Sequence, residues 1–250
     1  LGIASVGMTF VTTSGHMADL SLPAIMAFSG IVTVAALPLG LPLALLLGLA
    51  GGMAVGAANG IIVGRLQANP ILWTLSVSFL MEGFMRFTWS NNQVYPDTAP
   101  GTAGAAFTDI FRLSVGPIPL VVVVMLVMFL LGHLVLTRTR FGFETKLVGS
   151  CRAAAATSGI NVPRVVFFDF LAASFTASVA GILITSMNKL GVFYLGKGYD
   201  FKAVTAVVIG GVMLSGGRGN MLGVLGGVLV IGLLANIMTF IGINTFQQNI

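Results

Sequence analysis

The stretch GVFYLGKG, Gly191–Gly198, matches the first seven positions of the phosphate-cradling pattern G-x-x-x-x-G-K-[ST]. It fails at the eighth, where Gly198 stands in place of the hydroxyl that would hold Mg²⁺. ATP chemistry within this chain is therefore not expected. His16 and His133 are the only histidines and Cys151 the only cysteine, so no spaced His/Cys metal set and no internal disulfide is available. Neither an H-E-x-x-H helix nor a nucleophile elbow is present, and no catalytic or metal-binding residues are expected. What remains is charge and hydrogen bonding. Glu82 and Arg86 stand one helical turn apart in SVSFLMEGFMRFTW, a spacing that predicts an i,i+4 pair facing the bundle or a cavity near the outer surface. In GHMADLSLPAIMAFSG, Asp19 or Ser21 can cap a half-helix that starts at Leu22, with Pro23 in its first turn. The free N–H groups of such a start form a partly positive end able to meet solute hydroxyls, and a purely structural cap is the competing reading. His16 reads as a polar lining residue. Asn59 and Asn236 sit late in two glycine-rich helices, and Asp169 is expected at the cytoplasmic interface.

The elements that must position these groups are membrane helices. Apolar residues make up 56% of the chain and charged residues 8%, with a mean hydropathy of +1.02, far from the roughly 25% charged content of ordinary soluble domains. The net charge of +5 lies in loops between apolar runs, which fits orientation by the positive-inside rule and gives no patch for nucleic acid. At about 20 apolar residues per crossing, helices are predicted near residues 1 to 14, 22 to 37, 42 to 64, 70 to 88, 117 to 136, 164 to 187 and 221 to 243, with a shorter segment at 203 to 214. The first is stopped by TSGHMADLSLP and the short one by SGGRGN. Backbone that leaves helical geometry at membrane depth must be buried in protein or face a water-filled path, so the breaks point to transport. The fold class is all-α: one transmembrane bundle over residues 1–250 with broken, re-entrant helices. The chain opens at Leu1 in mid-pattern, which leads to the expectation that it begins, and also ends, inside a longer protein.

Gly48, Gly52, Gly56, Gly60 and Gly64 recur at every fourth residue, the small-residue stripe that lets helix backbones approach in lipid. Gly223 and Gly227 repeat the device, which suggests an internal duplication. Six charged residues, five of them basic, fall within residues 138 to 164 around an alanine-rich core. Ser150 is the expected N-cap of CRAAAATS, Gly159 the left-handed residue that ends it, and Pro163 the first turn of the next membrane helix. The result is a short helix within the 137 to 163 cytoplasmic loop, with too little apolar bulk to insert in lipid and a surface suited to a groove on another protein. A loop made basic only to fix topology is the alternative.

The segments SVGMTFVTTSGHMADLSLPAIMAFSG, AANGIIVGRLQANPILWTLS, TRTRFGFETKLVGSCRAAAATSGINV and AVVIGGVMLSGGRGNMLGVLGGVLVIGLLAN resemble the permease subunits of bacterial ABC importers for simple sugars, of the ribose, galactose, xylose and autoinducer-2 type. The most specific pieces are Thr139 to Gly142, Ser158 to Val162 and Leu214 to Gly219. The resemblance implies a multi-pass protein of the bacterial inner membrane that pairs with a second permease subunit, the same or homologous. It further implies a cytoplasmic ATP-binding subunit, which alone would hold ATP and Mg²⁺, and a periplasmic solute-binding protein. It makes the alanine-rich helix a coupling helix, with Arg140, Gly142, Ser150, Arg152, Ala154, Ala155, Ser158 and Gly159 as its coupling residues. The candidate residues for a solute path are His16, Asp19, Ser21, Asn59, Glu82, Arg86, Arg218 and Asn236. Where relatives read Gly-Gly-Ile-Asp-Leu-Ser-Val-Gly this chain has GHMADLSLP, and many carry Arg where Glu82 stands; both departures leave the solute open. A self-sufficient channel or ion-coupled carrier, a permease for a nucleoside or branched-chain amino acid, and a membrane-embedded enzyme are the rival readings.

Overall fold

The computed structural model describes residues 1–242. Its helices are α1 (Gly2–Thr13), α2 (Leu22–Ala36), α3 (Leu41–Arg65), α4 (Pro70–Thr88), α5 (Ala103–Asp109), α6 (Leu120–Arg138), α7 (Arg140–Ser150), α8 (Arg152–Thr157), α9 (Val162–Asn188), α10 (Tyr199–Ile209) and α11 (Met221–Phe240). A two-residue hairpin, Ser114–Val115 against Ile118–Pro119, precedes α6. Local chemistry sets the starts. Proline occupies the first turn of α2, α3, α4 and α9, where its missing N–H costs nothing. Asn69, Thr139, Asn161 and Asn220 accept backbone N–H bonds at the starts of α4, α7, α9 and α11. Five stretches, Leu22–Leu39, α3, α6, α9 and α11, are long and apolar enough to cross a membrane.

Every residue of α1 is buried, and α9 packs against α1, α2 and α3. The glycine stripe of α3 is the reason α9 can lie so close. A Cβ at Gly60 would stand 2.8 Å from the Phe167 Cα and one at Gly64 2.9 Å from the Pro163 carbonyl, while Gly52 and Gly56 face the hydroxyls of Ser178 and Ser174. Gly223 and Gly227 face the Gly210 and Ala206 carbonyls of α10 in the same way. One end of the bundle gathers the ends of α1 and α3, the start of α9, and α7 with α8; it carries Arg65, Arg138, Arg140, Lys146, Arg152 and Arg164 and is the basic end. From the opposite end, residues 190–198 fold back inward: Gly191 pairs with Val94 beside Ile31, and Gly196 lies against Pro23. Ile31 and Pro23 are eight helical residues apart, so the segment descends about 12 Å. α10 then starts inside the bundle and continues to the basic end. The succession α1, α2, α3 is thus repeated by α9, α10, α11 in the opposite sense, the arrangement of an inverted repeat.

Three expectations are corrected. The short segment expected at 203 to 214 is α10, Tyr199–Ile209, because Gly198, at φ 85°, releases the helix four residues earlier. The stretch expected as a loop with one helix holds two, α7 and α8. Ser150 is not a cap: it completes α7, its hydroxyl donating to the Lys146 carbonyl at 2.9 Å, and α8 starts from an extended Cys151 without a side-chain cap. Asp169 does not sit at the interface but is fully buried beneath α7. Gly159 does end α8 at φ 82°, and Pro163 opens α9. The last residue expected for the 221 to 243 helix lies outside the described residues.

Candidate functional site

The start of α2, one face of α4 and the descending segment before α10 enclose an open cleft of about 320 Å³. That lies near the lower end of the roughly 300–1,000 Å³ typical of small-molecule sites. Pro23, Ser78, Glu82, Tyr194, Lys197 and Asp200 line it together with apolar and aromatic side chains. Two half-helix starts, those of α2 and α10, therefore meet at a wall carrying a carboxylate, an ammonium, a second carboxylate and two hydroxyls. Such a set can donate to and accept from a polyhydroxylated solute on several sides. Glu82 pairs with Arg86 at 2.7 Å, as the i,i+4 spacing predicts. The Arg86 guanidinium also donates to Asn91 at 3.0 Å and stacks 3.9 Å from the Phe193 ring centre, which fixes Glu82 at the mouth of the cleft. Grooves of about 810 and 620 Å³ flank Arg164 at the start of α9, but neither reaches the starts of α2 or α10.

The break between α1 and α2 is held from behind. Asp19 accepts from the backbone N–H of Ser21 at 2.9 Å and from its hydroxyl; the Asn59 amide donates to the Ser21 hydroxyl at 2.8 Å, and the Trp73 indole N–H donates to the Asn59 carbonyl oxygen at 2.9 Å. Thr74 accepts the Leu20 N–H at 3.0 Å. This chain crosses from the break through α3 to α4. It anchors the α2 start while Asp19, Ser21, Asn59, Trp73 and Thr74 stay out of the cleft, which Leu20 lines. Asn59→Leu would strand the Trp73 donor, at about 1–3 kcal/mol for a group left unpaired, and would leave the Ser21 hydroxyl held by Asp19 alone. A fall in the thermal midpoint of the detergent-solubilised protein is expected, and an unchanged midpoint would refute the anchoring role.

The structure thus joins Asp19, Ser21 and Asn59, all buried, and separately joins Glu82 and Arg86. His16 is buried, its Nδ1 3.0 Å from the Ser14 hydroxyl and its ring edge-on to Phe170. Arg218 and Asn236 are exposed and belong to neither group. Lys197, Asp200, Tyr194 and Ser78 were missed by sequence reasoning. The signal was present: a lysine and an aspartate bracket Gly198 at the start of a half-helix, but the phosphate-loop look-alike drew Lys197 into a different question.

At the basic end, α8 exposes Ala153, Ala154 and Ala156 and buries only Ala155, which packs with Val162 and Val165. Arg152 reaches across to donate to the Gly64 carbonyl at the end of α3, 3.3 Å away. That carbonyl is one of the helix's last, which lack intrahelical partners. Arg140 is exposed and paired with Glu144 at 2.8 Å. Gly142 lies so close to α6 that a Cβ would stand 2.5 Å from the Leu136 Cα. Ser158 follows the last helical residue and Gly159 turns the chain toward α9. Asp169 accepts from Thr145 at 3.0 Å, fastening α7 to α9.

The family described as branched-chain amino acid transport system / permease component matches residues 1–249. Ribose import permease protein RbsC of Bacillus subtilis is 35% identical over 249 residues, covering 99% of this chain and 76% of the relative. The protein of the same name in Haemophilus influenzae is 31% identical over 255 residues, again 99% and 76%. The L-arabinose transport system permease protein AraH of Escherichia coli is 30% identical over 249 residues, covering 99% and 74%. No solved structure matches the chain.

Proposed function

Because this chain belongs to the branched-chain amino acid transport system / permease component family, we propose that it forms the translocation path for a monosaccharide in an ATP-driven importer. It is a multi-pass permease subunit of the bacterial inner membrane and a transport component. In the proposed assembly, a cytoplasmic ATPase binds the nucleotide, a second permease subunit completes the path and a periplasmic binding protein delivers the solute. The positive-inside rule puts the basic end in the cytoplasm. The observation that carries this reading is the exposed alanine face of α8, a docking surface tied through Arg152 to α3 and through Ala155 to α9. ATP can shift an inward-facing against an outward-facing state only through contacts that differ between them, and a rigid docked helix is where such contacts can act.

The sugar assignment rests on the cleft, whose mixed acidic, basic and hydroxyl lining suits a neutral polyol, and on the relatives named for ribose and arabinose. The test is uptake of labelled ribose, arabinose and leucine into vesicles holding the chain with its ATPase and binding protein. ATP-dependent pentose uptake is the expected result. Uptake without the ATPase would decide for a self-sufficient channel, and uptake of leucine alone for the amino-acid reading that the family's description favours. Lys197→Met is expected to raise the half-saturation for solute about tenfold. A charged hydrogen bond is worth about 1.5–3 kcal/mol, and an unchanged value would remove Lys197 from the path.

A further inference from the structure

Three stretches distant in sequence meet at the basic end, main chain against main chain at Gly15, Gly149 and Gly216 and with the Ser150 side chain against Gly217: residues 13–15 at the end of α1, 149–150 at the end of α7, and 215–217 in the turn between α10 and α11. The Gly217 N–H donates to the Thr13 carbonyl at 2.8 Å. A Cβ at Gly149 would clash with that same carbonyl and stand 2.5 Å from the Gly217 nitrogen. Gly216, at φ 85°, lies where a Cβ would be 2.6 Å from the Gly15 Cα and 2.8 Å from the Gly149 carbonyl. Each stretch leads directly into a part with a role. Gly149 is two residues from Cys151, where α8 begins; Gly15 opens the break that ends at the start of α2; residues 215–217 continue the chain from α10. The starts of α2 and α10 are the walls of the cleft.

Close-packed protein transmits displacement because it has no voids to absorb it, and backbone against backbone has no rotamers to yield. The side-chain hydrogen bonds that join α7 and α8 to other helices, Thr145 to Asp169 and Arg152 to Gly64, lead to α9 and α3 instead. We propose that the junction of Gly15, Gly149 and Gly216–Gly217 is the positioning element that carries movement of α8 to both half-helices at the cleft, the three stretches moving as one body. This inference rests on the permease reading above.

Two measurements on the complete complex in vesicles test it. Gly149→Ala must part the three backbones; it is expected to leave ATP hydrolysis while lowering solute imported per ATP about tenfold, within the range by which substitutions between coupled sites act. Proportional loss of both activities, or no change in their ratio, would overturn the proposal. The second measurement does not need that variant to fold. Spin labels on Cys151 and on Ser215→Cys, both exposed, report the junction. Labels on Phe79→Cys and Phe201→Cys, in a Cys151→Ser background, report the cleft. With and without a trapped ATP analogue, the cleft distance is expected to change and the junction distance to stay fixed; a junction that widens as the cleft moves sinks the idea. The unsubstituted complex is the reference, and if it lacks ATP-driven uptake it is the functional reading that falls.

Discussion

Ala154→Trp is expected to abolish ATP-driven uptake by the assembled importer while the membrane domain stays folded. Ala154 is exposed on α8. The substitution removes no contact within the chain, and surface changes of this kind usually stay within about 0.5 kcal/mol. Its cost falls on the partner: an indole in place of a methyl cannot enter a groove shaped to alanine. A drop in uptake of at least about tenfold corresponds to only ~1.4 kcal/mol lost in docking. Ala155→Trp is the contrasting variant. Ala155 is 2% exposed among Val162, Val165 and Phe170, and overfilling that cluster costs about 1–3 kcal/mol of stability. Uptake and thermal unfolding measured side by side separate the two. If Ala154→Trp imports solute normally, α8 is not the docking surface.

Gly56→Leu has the largest expected effect on stability. Even the first atom of the new side chain would collide with the Ser174 side chain and stand 3.0 Å from the Phe170 carbonyl, so α3 must leave α9 along its length. We expect little folded protein to be recovered, and a clear fall in the thermal midpoint of whatever is. Gly83→Ala in α4 is the matched control. Nothing lies within 4 Å of a Cβ there, and alanine in place of glycine within a helix is worth up to about 1 kcal/mol in the opposite direction. A Gly56→Leu protein as stable as the parent would mean that the stripe does not set the helix spacing.

The difference between these two glycines was legible in the sequence only where periodicity spoke. Five glycines at every fourth residue announced a packing face, and the apolar run at residues 70 to 88 matches α4, Pro70–Thr88. Glu82 and Arg86 were recognisable as a pair from spacing alone. The rest depended on the third dimension. Whether Ser150 ends one helix or begins another turns on a single extended residue, Cys151, which no propensity marks. Asp19, Ser21 and Asn59 all looked like polar lining, but 38 residues separate Ser21 from Asn59, and only the packing of α3 against the break shows that they satisfy one another. Asp169 lies early in its helix, where an interface is the usual place for a carboxylate; α7, read as loop, is what covers it. Lys197 and Asp200 became cleft residues only when the segment before α10 proved to descend into the bundle.

The close seating of α3 on α9 has a consequence for how such a protein can change shape. Where two long rods touch main chain to main chain at Gly60 and Gly64, and through nothing larger than a serine at Gly52 and Gly56, no cushion of long side chains is left to let one roll or slip over the other. The pair therefore serves as the fixed frame of the subunit. The deformation that opens and shuts a passage has to be taken up by the short interrupted pieces at residues 16–21, 190–198 and 210–214, which makes those loops, and not the long spans, the working parts of the machine.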